Sequence, residues 1–190
     1  DKCTAYTICL VRVGGIARAH HRIDLVARRK DVAHSVERVA LVVVANCRTE
    51  IYGLALLHGN QQHHLATSVL HKVGEGYSSQ LIKFVLDDAS KASFKGELKI
   101  LPDAQHVEAY QTNRNILLSR QADMVTEPQL EIYADDVKAS HGATTGQLDD
   151  AALFYMQQRC ISRDEAAKLL LQAFFDEVVS TLSDENVRED

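Results

Sequence analysis

Ile82-Lys83-Phe84-Val85-Leu86 opens a run, residues 82–132, in which short apolar alternations keep returning: Leu98-Lys99-Ile100, then Ile116, then Leu130-Glu131-Ile132. Ile82, Leu98, Ile116 and Ile132 stand 16, 18 and 16 positions apart. Alternation with period two is the mark of a strand with one face buried. Upstream, Val39 to Val44 and Ile51-Tyr52-Gly53-Leu54-Ala55-Leu56 are nearly continuous apolar runs, as in strands covered on both faces. Turn formers separate them: Gly14-Gly15, Gly59-Asn60, Gly74-Glu75-Gly76, Asp87-Asp88 and Pro102-Asp103. Short strands at this spacing suit either a sandwich or a stacked coil. A sandwich calls for tight hairpins, yet no Asn-Gly or Asp-Gly dipeptide occurs. The balance favours a β-solenoid, in which each rung buries its inner residues against its neighbours.

After residue 147 the period becomes helical. Asp149 can cap a short helix carrying Ala152, Leu153 and Tyr155-Met156. Ser162-Arg163-Asp164-Glu165 reads as a capping box, with Ala166, Leu169, Leu170, Ala173, Phe174 and Val178 on one face behind it. The expected organisation is therefore a β core over residues 1–146 and a small helical domain over residues 147–190. The last eight residues are acidic and lack a packing face, so they are expected to fray. The chain begins Asp1-Lys2-Cys3 without Met and runs quickly into Tyr6, Ile8 and Leu10. That beginning reads as a fragment of a larger chain, with the β core cut at its N-terminal end.

Composition narrows the function. The 190 residues hold 21 Lys and Arg against 26 Asp and Glu, a net charge of −5, which disfavours nucleic-acid binding by bulk charge. The longest apolar run, Val39 to Ala45, is too short to cross a bilayer, and no membrane partner is expected. Cys3, Cys9, Cys47 and Cys160 form no C-x-x-C and fit small buried side chains in a reducing, cytoplasmic compartment. Residues 1–48 are basic on balance and residues 147–190 acidic, so the tail could dock on a basic partner. No Walker loop, nucleophile elbow or H-E-x-x-H motif is present. The doublets Asp87-Asp88, Asp135-Asp136 and Asp149-Asp150 could serve a solenoid enzyme acting on polysaccharide, but neighbours on a strand point to opposite faces. Turns and helix caps account for them more simply. Among nine histidines, His63, His64 and His71 share one apolar segment and His141 lies at the strand-to-helix transition. A lone histidine is more often a hydrogen-bonded structural residue than a metal ligand.

Two stretches go further. One is Ala109-Tyr110-Gln111-Thr112-Asn113-Arg114-Asn115-Ile116-Leu117-Leu118-Ser119. The other runs from Leu130-Glu131-Ile132-Tyr133-Ala134-Asp135-Asp136-Val137-Lys138 through Ser140-His141-Gly142-Ala143-Thr144-Thr145-Gly146 to Asp149-Asp150, and on to Arg159-Cys160-Ile161-Ser162-Arg163-Asp164-Glu165-Ala166. Together they resemble the C-terminal half of the SufB/SufD family of iron–sulfur cluster assembly proteins, densely over residues 105–180 and more loosely over 35–105. Ser140-His141-Gly142-Ala143-Thr144-Thr145 matches the SufD form of the motif, not the Glu-His-Glu form of SufB.

The resemblance implies a right-handed parallel β-helix followed by a small helical domain. It implies a non-catalytic scaffold subunit that pairs with a SufB-type paralogue through its last strands, and binds a SufC-type ATPase through its tail. No tightly bound cofactor is implied, only a transient iron–sulfur cluster in the full complex, with His141 as candidate ligand to it. Within strand 137–141, Val137, Ala139 and His141 share one parity, opposite Lys138 and Ser140. Val137, Lys138 and Ser140 are the expected partner contacts on the β-helix; Ile161, Leu169, Leu170 and Phe174 are those on the tail. In isolation a homodimer through open rung edges is the alternative assembly. Three departures stand out. Ala139 replaces a common cysteine, Cys160 replaces a glycine, and Gln62, Thr67 and Ser68 replace His and Asn positions around His71.

Overall fold

The recurrence at 16 to 18 residues is the spacing of half-turns. In the computed structural model, which describes Tyr6–Gly15, His20–Leu25, His34–Val43 and residues 45–181 (side chains only for the last two), ten strands precede two helices. They are β1 (Tyr6–Gly15), β2 (His20–Leu25), β3 (His34–Val43), β4 (Cys47–Leu57), β5 (Gln62–His71), β6 (Tyr77–Leu86), β7 (Lys91–Ile100), β8 (Glu108–Leu117), β9 (Asp123–Ile132) and β10 (Lys138–Gly146), then α1 (Asp150–Gln157) and α2 (Arg163–Val179). Cys3 and the acidic residues after Leu182 lie outside the described residues, as does the side chain of Cys9.

Consecutive strands do not pair from β3 onward. One sheet orders β3-β5-β7-β9 and the other β10-β8-β6-β4-β1-β2. Among themselves β3 to β10 pair in parallel. Each rung thus supplies one strand to each sheet: β3/β4, β5/β6, β7/β8 and β9/β10. This is a parallel β-solenoid, not a sandwich of hairpins. The register sets Arg48 against Tyr77, Tyr77 against Glu108 and Glu108 against Lys138, so a full turn takes 29 to 31 residues on this side. β1 caps the larger sheet antiparallel to β4, and β2 lies antiparallel to β1.

One parity of each strand from β3 to β9 faces inward. Ile51, Leu65, Ile82, Phe84, Phe94, Leu98 and Ile100 are all buried in one cluster. Their removal from water drives the stack, at roughly 2 kcal/mol for each large side chain. On the outside, register partners tie rung to rung: Lys99 to Glu131 at 2.7 Å, Lys138 to Glu108 at 2.8 Å and Ser68 to Glu97 at 3.0 Å. The corners repeat as well. Asn46, Glu75 and His106 take φ of 54°, 59° and 59° at equivalent positions, and Gly59 and Asp88 take 60° and 54° at another. Asn, Asp and His tolerate this left-handed region better than most non-glycine residues.

Both predicted helix starts are present. Asp149 accepts from the N–H groups of Ala151 at 2.8 Å and Ala152 at 3.3 Å, and Ser162 with Glu165 forms the capping box. The packing face of α2 is narrower than the periodicity predicts. Ala166 and Val178 are buried and Leu170 and Phe174 partly so, but Ala173 is exposed and Leu169 is 47% exposed. Among the described residues no third layer lies over the helix, so its outer apolar residues find no cover there.

α2 packs where the apolar run of β6 is interrupted by a cation. Lys83 points out of the solenoid and yet is only 1% exposed. Its ammonium donates to Glu177 Oε2 at 2.5 Å and to Phe174 O at 2.6 Å, and sits 4.4 Å from the centre of the Phe174 ring. Arg114 reaches the same Glu177 oxygen at 3.1 Å. Lys83 holds the Glu177 carboxyl below its ordinary pKa.

Candidate functional site

β10 is the last strand of the larger sheet, and only one of its edges is paired. Residues that would face the interior in any earlier rung are left open here, because no strand of the described residues is stacked beyond them. The register places Ala139 on Ala109, His141 on Gln111, Ala143 on Asn113 and Thr145 on Asn115. Ala109, Gln111, Asn113 and Asn115 are all buried. His141 therefore has inward parity and is still exposed. An accessible imidazole on an unpaired edge can take a metal or a proton, with its other face against the protein.

The neighbouring residues divide by parity. Lys138 is exposed and paired with Glu108, whose hydrogen bond raises the lysine pKa. Ser140 is exposed on the same outer side. Val137 and Ala139 turn inward and pack against the core. On the tail, Ile161, Leu170 and Phe174 are partly buried and Leu169 is exposed. Phe174 is the ring over Lys83, so it serves the joint between tail and solenoid. Two apolar residues that the periodicity assigned no surface role are the most open: Phe154 at 63% and Tyr155 at 58%. They flank the inward Leu153 on a helix of two turns, and that position beside a buried residue is the signal that could have marked them.

The other candidates separate. His63 and His71 are buried, while His64 faces out, its Nδ1 2.6 Å from Ser93 Oγ and its ring 5.1 Å from that of His34. His63 Nδ1 meets Ser35 Oγ, and His71 Nε2 meets Ser78 Oγ at 2.8 Å. Burial pushes the His71 pKa down to about 4. Among the described residues no three His, Cys, Asp or Glu side chains converge as a metal site. The acidic doublets sit at corners and a cap: Asp88 accepts from Gly59 N–H at 2.9 Å, and Asp149 caps α1. Asp87 and Asp150 do line one groove of about 530 Å³ between tail and solenoid, together with Asp164, Arg120 and Arg163.

An open terminal rung bearing an exposed histidine, followed by a two-helix tail, is the arrangement against which relatives can be compared. The family model for the SUF system FeS cluster assembly SufBD core domain matches residues 16–174. The chain belongs to the SufBD family. Similar SufBD relatives include the iron–sulfur cluster assembly protein SufD of Escherichia coli, 33% identical over 90% of this chain and 43% of that one. Others are a SufBD family protein of Synechocystis sp., 36% identical over 71% of this chain and 30% of that one, and SufD of Bacillus subtilis, 34% identical over 69% and 30%. The chain spans less than half the length of these relatives. The matching family model is described as belonging to SUF-system iron–sulfur cluster assembly, and the relatives' names are those of assembly proteins. No helix among the described residues is long and apolar enough to cross a membrane.

Proposed function

We propose that this chain is the C-terminal part of a non-catalytic scaffold subunit of a SUF assembly complex. Its β10 edge pairs with a SufB-type paralogue, its tail docks a SufC-type ATPase, and His141 offers its imidazole to the iron–sulfur cluster forming at the joint. The cluster is cargo of the complex and not a resident group of this chain. One observation carries the reading: His141 has inward parity on the last strand and is nevertheless open to a partner. Nitrogen donors of borderline softness suit iron alongside thiolate.

An unpaired parallel edge invites another strand, and Lys138 and Ser140 stand beside it as polar contacts. On the tail the exposed Phe154, Tyr155 and Leu169, with Ile161 at the helix junction, give an apolar patch of the kind that marks protein contact. The compartment is the cytoplasm, and the isolated chain pairs with itself when its paralogue is missing.

The test is reconstitution with the SufB-type and SufC-type partners. His141→Ala is expected to leave folding and co-elution with both partners intact while cluster assembly on the complex falls severely. Leu169→Asp is expected to abolish co-elution with the ATPase alone. Unchanged assembly by His141→Ala removes this residue from the site, and failure of the folded wild-type chain to bind either partner overturns the scaffold reading.

A further inference from the structure

One buried side chain just beneath the open rung has no use in the account so far. Gln111 is 2% exposed, and both its amide nitrogen and its amide oxygen lack a hydrogen-bond partner. Leaving both ends of a buried amide unpaired is costly, so such a group points to a partner that completes it. Space has been kept for the amide itself. Gly96 lies across the interior on β7, and a Cβ at that position would overlap the Gln111 amide and the Phe94 ring.

The position of Gln111 is as informative as its vacancy. It is the register partner of His141, one strand away with the same inward parity. Strands in a ladder lie about 4.8 Å apart, within reach of a glutamine and an imidazole either directly or across one water. The same ladder step is already in use four residues along. Asn115 Nδ2 donates to Thr145 Oγ1 at 3.1 Å, and Asn115 and Thr145 are register partners across the same two strands. Asn113 is satisfied too, by Ile82 O at 3.2 Å and Asn115 Oδ1 at 3.0 Å. Of the three inward amides of β8, only the one beneath His141 is unpaired. Thr126, on β9 of the final rung, also holds an unpaired buried hydroxyl, which suits a water at this end of the interior.

We infer that Gln111 is the positioning residue of His141: its amide, directly or across one water, hydrogen-bonds the ring nitrogen that faces the interior. That bond fixes the tautomer and the aim of the ring and leaves the other nitrogen free to meet a partner's metal. A ligating imidazole commonly has its second nitrogen held in this way. The inference deepens the proposed function, since the use of the outward nitrogen rests on it, but the bond itself does not.

The experiment is a long-range proton–nitrogen correlation spectrum of the 15N-labelled chain at fixed neutral pH, with His141 assigned by loss of its signals in His141→Gln. The wild-type ring is expected to show one dominant tautomer with its inner nitrogen hydrogen-bonded. Nitrogen shifts equal to those of a free, tautomer-averaged imidazole overturn the inference without any variant. Gln111→Met, of similar length, is expected to move both His141 nitrogens toward that averaged position while His71, held by Ser78, stays put. Gly96→Ala, which crowds the amide without removing it, is expected to move them in the same direction. Unchanged His141 signals in folded Gln111→Met also overturn the inference. If the nitrogens respond but His141→Ala leaves cluster assembly intact, the positioning stands and the scaffold site is what fails.

Discussion

Removing the Glu177 carboxylate should undock the tail. Lys83 is an ammonium at 1% exposure, and Glu177 is its only anionic partner among the ion pairs of the described residues. Breaking a buried pair from one side costs about 3–5 kcal/mol, because the remaining charge is desolvated and uncompensated. Here Glu177 is itself 47% exposed, and the Phe174 carbonyl and ring stay near the cation, so water enters more easily and about 2 kcal/mol is the reasonable value for Glu177→Gln. For a domain of this size that is a drop of roughly 4–8 °C in Tm. The loss should fall on α2 first, so hydrogen exchange in residues 163–179 should rise while β6 and β8 keep their protection. Lys83→Met replaces the cation with an apolar side chain of similar length and should cost less than about 1 kcal/mol. Adding Lys83→Met to Glu177→Gln should then recover most of the loss. If Glu177→Gln changes neither Tm nor exchange in α2, or if the double variant is no better than the single one, the buried cation does not hold the tail.

His71 is neutral in the folded chain, with its pKa near 4 against about 6.5 when unfolded, so the unfolded chain takes up a proton first as pH falls. Its contribution is therefore complete above pH 6.5 and declines toward pH 4 by about 3 kcal/mol in all; urea titrations across that window should show the decline, and His71→Gln should lack it. Cys160 stands at φ 62° in the link between the helices, where Ile161 N–H meets Met156 O at 3.3 Å in a Schellman-type closure. Cys160→Gly should stabilise the chain by about 1 kcal/mol, and an unchanged Tm would mean the αL strain is absent. Gly96→Ala should destabilise by about 1–3 kcal/mol through overpacking against Gln111 and Phe94, readable by urea unfolding, and a neutral effect would show that the two side chains can shift aside.

The alternation around Ile82 and Leu98 made the strands legible, because burial parity is written residue by residue. Their pairing was not. The interval between Leu98 and Ile116 measures half a turn, and only the corner lengths say which strand stacks on which. The turn formers Gly59-Asn60, Gly74-Glu75-Gly76 and Asp87-Asp88 marked three left-handed corners, but Asn46 and His106, which take the same geometry with side chains attached, carried no such mark. The helix caps at Asp149 and Ser162 were plain because capping is local chemistry. The exposure of Leu169 and Ala173 was hidden, since a helical wheel reports which residues are apolar and not whether a neighbour exists to cover them. At the candidate site, Ser140-His141-Gly142 was visible through its resemblance to a family motif. The role of Gln111 needs the register of two strands 30 residues apart, which no local pattern encodes.

The strands from β5 to β9 all hold ten residues, while the links that join them run from the four residues 87–90 to the seven residues 101–107. Length variation is thus confined to the corners, and the interior is indifferent to it. A surface peptide, tag or reporter grafted between the exposed Pro102 and Asp103, short of the buried Ala104, should ride on the outside as a passenger, with the spacing of every layer above and below it preserved.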